Sequence, residues 1–295
     1  WRSLTNAGVS VQFFNPFSAR APFDYLRRNH RKLLIVDQTV AMVGGAGIAG
    51  RWDGKDQHAG NVPWYDFETE WRGDVVGALV GFFWQHWVAA GGQVNLAHHQ
   101  PQKSQANDPA AVLITPGEDP STGDSPIRSL FQLCITAAQK RLWIASPYLL
   151  PDDATGEMLA AIKRNGVDVR ILTMGPKSDK HSVYCVSRER YQALLAADIK
   201  IHEYQPSMMH GKIILIDNHW VSLGSANLDP RSFFHNDELN LCTDSANLTQ
   251  QVEDFFKVGF ERSQLIQTHR WKQRPLKEKL MGSFEPLSWL KFTYE

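Results

Sequence analysis

Asn29-His30-Arg31-Lys32-Leu33-Leu34-Ile35-Val36-Asp37 and Met209-His210-Gly211-Lys212-Ile213-Ile214-Leu215-Ile216-Asp217 are two copies of one pattern. Each has a histidine, a lysine two positions on, an apolar run and a closing aspartate. A glycine follows each at the same offset, Gly44 in the first copy and Gly224 in the second. A single match of this kind arises readily by chance; a doubled one with matching glycines does not. Both copies read as strands. His and Lys stand at i and i+2 on one face, while Leu33 to Val36 and Ile213 to Ile216 anchor the strand in a core. A rigid strand therefore presents an imidazole and a fixed positive charge side by side.

Two such strands, brought together, hold what a phosphodiester exchange needs. One imidazole attacks phosphorus and forms a phosphohistidine; the other protonates the departing alcohol and then deprotonates the incoming one. The two lysines neutralise charge on the non-bridging oxygens. Each histidine needs an acceptor on its second ring nitrogen to fix its orientation. The second copy continues Gly224-Ser225-Ala226-Asn227-Leu228-Asp229, small residues that let backbone and short polar groups approach a phosphate. The first continues Gly44-Gly45-Ala46-Gly47-Ile48.

Composition narrows the class. The 295 residues suffice for two lobes with real cores. Thirty-one basic residues balance 31 acidic ones, which argues against a dedicated nucleic-acid binder, usually clearly basic. Cys134, Cys185 and Cys242 form no C-x-x-C and read as buried thiols, with neither zinc nor disulfides implied. No apolar run is long enough to span a membrane. The best candidate, Val75 to Ala90, is broken by Gln85 and His86 and reads as a buried helix with Trp84 and Trp87 in the core.

The chain divides into a first lobe at 1–90, a linker at 91–125, a second lobe at 126–265 and a basic, apolar tail at 266–295. In the second lobe, Ile127, Leu130, Phe131, Cys134, Ile135 and Ala138 follow helical spacing. A strand at Leu142 to Ser146, a helix at Ala154 to Arg164 stopped by Asn165-Gly166, and a strand at Val167 to Met174 come next. A helix near His181 to Ala197, a strand at Ile199, the motif strands, a strand at Glu238 and a helix from Leu248 complete it. Alternating strands and helices predict an α/β sheet flanked by helices. Ala7 to Phe14 matches Ala197 to Tyr204 and predicts an equivalent strand. Far more chain precedes His210 in its lobe than precedes His30, so the first lobe is expected to be incomplete at its N-terminus. The linker is polar from His98-His99 to Gln105, and that histidine pair reads as exposed and without metal. Pro116 to Pro120 reads as a loop. In the tail, Arg270, Lys272 and Arg274 around Trp271, with apolar Leu280, Met281, Phe284, Trp289 and Phe292, suit an anionic membrane surface.

These motifs resemble the phospholipase D superfamily, and Arg28-Asn29-His30-Arg31-Lys32, Ser146-Pro147-Tyr148, Tyr204-Gln205-Pro206 and Ser225-Ala226-Asn227-Leu228-Asp229-Pro230-Arg231-Ser232 extend the likeness to bacterial cardiolipin synthases. The resemblance implies an α/β fold of two pseudo-symmetric lobes, each a mixed β-sheet flanked by helices, meeting at one site without metal or cofactor. The implied catalytic set is His30, Lys32, Asp37, His210, Lys212 and Asp217, with His30 as nucleophile and His210 as acid/base. Asp37 and Asp217 are expected to hold loops. Ser225 and Asn227 are implied as oxyanion donors, and Gly45 is common in the family. Gly47 stands where an asparagine is usual, so one donor is missing. The orienting carboxylates are implied to be Asp66 for the first motif and Glu238 for the second.

The reaction implied is attack on phosphatidylglycerol, release of glycerol and transfer of the phosphatidyl group to a second lipid alcohol. The expected partners are a phospholipid and an anionic membrane surface, with no nucleic acid. The expected place is the cytoplasmic face of the inner membrane, held peripherally. Rival readings are a hydrolytic phospholipase D, a nuclease of the same superfamily, and a catalytically dead membrane-binding scaffold.

Overall fold

The computed structural model describes residues 1–20, 26–55, 62–94, 112–116 and 125–283. The chain forms two compact units, one of Trp1–Asn29, Leu33–Val43 and Thr69–Pro109, the other of His30–Lys32, Gly44–Glu68 and Ala110–Glu295.

In the first unit, α1 (Arg2–Asn6), β1 (Arg28–Asn29), β2 (Leu33–Val36), β3 (Val40–Gly44), β4 (Glu68–Arg72) and α2 (Asp74–Ala89) follow in order. Strands β2, β3 and β4 form a three-stranded sheet. Leu33 pairs with Val43 and Val36 with Val40. The turn between them holds Asp37 and Gln38 at φ +49° and +55°, left-handed values that suit a tight hairpin. Ala41 and Val43 are buried, and Thr69 Oγ1 donates to the Val43 carbonyl at 2.6 Å. The buried positions of α2, Val76, Leu79 and Val80, keep the i, i+3, i+4 spacing of one apolar stripe.

Two expectations fail here. Trp84 and Trp87 are only half-buried, because the buried stripe stops at Val80; the Trp87 indole N–H reaches the Gln93 carbonyl at 3.0 Å. Ala7 to Phe14 is not a strand. The amides of Ala7, Gly8 and Val9 bond back to carbonyls of Ser3, Thr5 and Leu4, so the segment begins as the end of α1 and leaves Val9 and Phe13 exposed.

The second unit contains β5 (Val112–Pro116), α3 (Pro126–Ala137), β6 (Arg141–Ala145), α4 (Asp153–Arg164), β7 (Asp168–Met174), α5 (His181–Ala196), β8 (Lys200–Tyr204), β9 (Ile213–Ile216), β10 (Trp220–Gly224), α6 (Pro230–Phe234), β11 (Asn236–Asp237), β12 (Leu239–Thr243), α7 (Ala246–Glu261), β13 (Ser263–Leu265), α8 (Thr268–Lys272) and α9 (Leu276–Ser283). Eight strands form one mixed sheet in the order β13-β8-β7-β6-β9-β10-β12-β5. β6, β7 and β8 are parallel, joined by α4 and α5, since parallel neighbours need a crossover. The motif strand β9 runs antiparallel to both β6 and β10, and all four of its residues are buried. Ser125, Asp152 and Ser245 cap α3, α4 and α7 with their side chains. The Asn165-Gly166 stop holds, with Gly166 at φ +93°. Ile213 pairs with Leu223 and Ile216 with Trp220, so this hairpin repeats the register of β2 and β3.

The α/β class expected from the alternating pattern is what forms. The linker and tail are corrected. Within 91–125, Val112–Pro116 is a strand paired with β12 along its whole length, so Pro116 ends a strand instead of opening a loop. Within 266–295, Trp271 is 5% exposed and donates its indole N–H to the Arg188 carbonyl. Arg274 is buried against the carboxylates of Glu189 and Glu278. A cation so paired and an indole so enclosed are core groups and are not offered to a lipid surface. His98, His99, Phe284, Trp289 and Phe292 lie outside the described residues. Among the described residues no helix is long and apolar enough to cross a membrane.

Candidate active site

Both motif histidines belong to the second unit, and each ends the polar approach to its apolar strand. Backbone bonds fix their neighbours. The amide of His30 donates to the Asp237 carbonyl at 2.9 Å, and the amide of His210 donates to the Tyr65 carbonyl at 2.7 Å. The segment at Tyr65 is pinned in turn. Its ring stacks between Tyr204 and Phe255 at 4.6 and 4.3 Å, and its hydroxyl donates to the Phe255 carbonyl at 2.6 Å.

These backbone contacts decide which carboxylate orients which ring. His30 Nδ1 lies 3.0 and 2.9 Å from the two oxygens of Glu238, and His210 Nδ1 lies 2.9 Å from Asp66 Oδ2. The expected pairing was the reverse, each carboxylate with the histidine of its own motif. The correction has a simple cause. The segment carrying each carboxylate runs beside the other motif's histidine, so the nearest carboxylate is always the partner copy's.

Glu238 is fully buried and holds four donors: His30, the hydroxyls of Ser225 and Ser232 at 2.5 and 2.7 Å, and the Asn236 amide at 3.3 Å. Asp66 holds His210, the Trp52 indole N–H at 2.9 Å and the Phe67 amide at 2.9 Å. Burial alone pushes both carboxyls up, but the histidine hydrogen bonds and charges outweigh it and leave both below the usual carboxylate range.

The lysines complete the arrangement. Lys32 Nζ donates to the His30 carbonyl at 2.9 Å, and Lys212 Nζ to the His210 carbonyl at 2.6 Å. Lys212 Nζ also lies 3.0 and 3.1 Å from the two His210 ring nitrogens. Burial lowers the His30 pKa most, with Lys32 adding to it against Glu238. Burial lowers His210 to about 4, with Lys212 adding to it against Asp66. Each lysine's charge is felt by the other motif's histidine as well. Two imidazoles and two lysine side chains thus share one anion-seeking site.

The remaining expected residues divide. Ser225 is fully buried with its hydroxyl given to Glu238, and it accepts from the Leu239 amide. It is therefore a carboxylate holder, which corrects its expected part as a phosphate donor. Asn227 is buried, and its side-chain carbonyl has no hydrogen-bond partner among the described residues. A Cβ on Gly45 would stand 2.2 Å from Asp66 Oδ1, so only glycine leaves room for that carboxylate. Asp217 accepts from the amides of Gln139, Lys140 and Arg141 at 3.3, 2.7 and 3.0 Å. It ties down the turn before β6, as expected of a loop-holding aspartate, and takes no place beside the histidines, so it leaves the catalytic set. Asp37 occupies the corresponding turn after β2 in the first unit.

Sequence reasoning missed Trp52, Trp64 and Asn236 as parts of the site. Trp64 lies 5.1 Å from the His210 ring, and the Arg51 guanidinium sits over its outer face at 4.9 Å. Asn236 stands two positions before Glu238 and its side-chain amide donates to that carboxylate, a spacing that could have marked it.

The family model described as cardiolipin synthase, PLD-like domain matches residues 132–258. The chain is 35% identical over 289 residues to cardiolipin synthase of Alkalihalophilus pseudofirmus, covering 95% of the chain and 56% of that protein. It is 34% identical over 284 residues to cardiolipin synthase 2 of Bacillus anthracis, covering 95% of the chain and 54% of that protein. The chain is thus similar to cardiolipin synthases of the phospholipase D superfamily. It spans about half the length of these relatives. A solved phosphatidylserine synthase from Haemophilus influenzae shares the phospholipase D fold at a TM-score of 0.66 and 15% identity, over 91% of this chain and 71% of that one.

Proposed function

We propose that the protein is a cardiolipin synthase-like phosphatidyltransferase working through a phosphohistidine. The observation that carries this is the pair of buried histidine–carboxylate couples, flanked by two lysines, within one folded unit. His30 Nε2 attacks the phosphorus of phosphatidylglycerol; the P–N bond forms and the P–O bond to glycerol breaks. His210, carrying a proton, gives it to the departing glycerol oxygen. The acceptor lipid's hydroxyl then enters, returns a proton to His210 and displaces His30 from phosphorus. Lys32 and Lys212 balance the charge of the phosphoryl oxygens throughout. His30 is the nucleophile in this reading because its side chain is the more accessible, 16% against 7% for His210.

Phosphatidylglycerol vesicles incubated with the protein, with H210N as control, supply the test. Mass spectrometry should find the two-phosphate lipid and free glycerol, both absent with the variant. Phosphatidic acid alone would replace transfer by hydrolysis, and no product would remove phosphatidylglycerol as donor. A phosphate trapped on His210 instead of His30 would reverse the two histidine roles.

A further inference from the structure

The two orienting carboxylates are held in different ways. Glu238 takes hydroxyl donors from Ser225 and Ser232. The position matching Ser225 in the first copy is Gly45, where any side chain would strike Asp66. Asp66 therefore has no serine beside it. Its second donor is an indole, the N–H of Trp52, at the same carboxylate oxygen that binds His210.

The ring of Trp52 is fitted to this place. It meets His210 edge-on at 5.5 Å and 81°, and it packs on Trp64 at 4.8 Å. Its far edge lies over Gly47, where a Cβ would stand 3.2 and 3.3 Å from two ring carbons. An asparagine there, like Asn227 in the second copy, would need the indole to move. Gly47 and Trp52 are thus matched, the glycine making the space that the indole fills.

We propose that Trp52 is the positioning residue for the His210 half of the site, fixing Asp66 through its indole N–H, and that Gly47 is required to admit it. As it concerns proton transfer by His210, the inference rests on the function proposed above. It turns the departure at Gly47 from a lost donor into one side of an exchanged pair.

Trp52→Phe keeps a ring and removes the N–H. With a donor lost from the shared oxygen, Asp66 becomes a stronger acceptor, so His210 should bind its proton more readily. The charged groups acting on His210 are Asp66, Lys212 and Lys32, and all remain in the variant. Expected in W52F are a His210 pKa raised by half a unit or more in ¹⁵N-histidine NMR titration, and a fall in kcat of about tenfold with KM changed less than twofold, the lost alignment of the Asp66–His210 couple outweighing the larger protonated fraction. G47N should reproduce both effects by displacing the indole, and it keeps the question open to test should W52F not fold. A lowered melting temperature with the titration unmoved would reduce Trp52 to packing and overturn the proposal. So would a G47N enzyme faster than wild type. If the unaltered protein transfers no phosphatidyl group, the functional reading fails, while the His210 titration still decides the part played by Trp52.

Discussion

His210 sets the acid behaviour of the molecule. Its folded pKa, about 4, lies below the ordinary 6.5 because burial and Lys212 disfavour the charged ring. The unfolded chain therefore takes up a proton between those values that the folded chain refuses. Stability falls as pH drops from 6.5 towards 4, by up to about 3 kcal/mol for this one ring. Urea midpoints at pH 7 and pH 4.5 should differ less in H210N than in the unaltered protein. His202, half-buried against Phe260 and also lowered to about 4 by burial and Arg170, contributes in the same direction and remains in the variant as background. The same lowering shapes the rate. The proposed transfer needs one imidazole neutral and one protonated, so on that reading kcat/KM should peak below pH 6.5. The peak in kcat should lie higher, because a bound anionic phosphodiester favours the imidazolium. A kcat/KM optimum above 7 would contradict the buried, lysine-flanked environment as the controlling one. At this scale the sequence told which two histidine–lysine pairs to look for but not which carboxylate meets which histidine. Alternation along a strand gives the face a side chain takes and is silent about the neighbour across it.

At the scale of the element, the motif strand β9 shows why an aspartate closes the second copy. Ile213–Ile216 is buried between two strands, and Asp217 then gathers three successive amides at the edge of the core. Burial pushes its carboxyl up, but those amides outweigh it and hold the pKa below the usual range. Asp217→Asn would turn an N–H₂ towards amide donors. The expected cost is about 1–3 kcal/mol of stability, with kcat per folded molecule unchanged. Thermal melts and active-site-normalised rates separate the two readouts, and a specific loss of kcat would return Asp217 to the catalytic set. The helices of the second unit were legible because their apolar spacing, caps and the Asn165-Gly166 stop agree with one another. β5 was not legible. Val112 to Pro116 is a short run inside a polar stretch, and its pairing with β12 is a long-range fact.

Over the whole molecule, the chain's second unit extends past the last helix expected to matter. α5 carries Arg188 and Glu189, which meet Glu278 and Arg274 from the C-terminal segment, and Trp271 is enclosed beside them. Basic residues around a tryptophan read equally well as a membrane foot or as a buried latch, and the opposing carboxylates of Glu189 on α5 and Glu278 on α9 separate the two. Trp271→Ala should cost about 3–5 kcal/mol and leave sedimentation with anionic vesicles as it was. Lost vesicle binding at unchanged melting temperature would restore the membrane reading. The repeated motif hairpin, by contrast, was visible from the first lines of the sequence, because a repeated polar pattern survives whatever packs around it.

The crossed pairing of histidines and carboxylates bears on how the two copies can diverge. Glu238 supports His30, and Asp66 supports His210. A change in one copy is therefore felt first as a defect in the other. In epistasis, E238Q should group with H30N and not with its neighbour His210, while D66N should group with H210N. On the proposed chemistry, a change that disables one copy's carboxylate disables the other copy's histidine. Duplication here has produced interdependence in place of a spare.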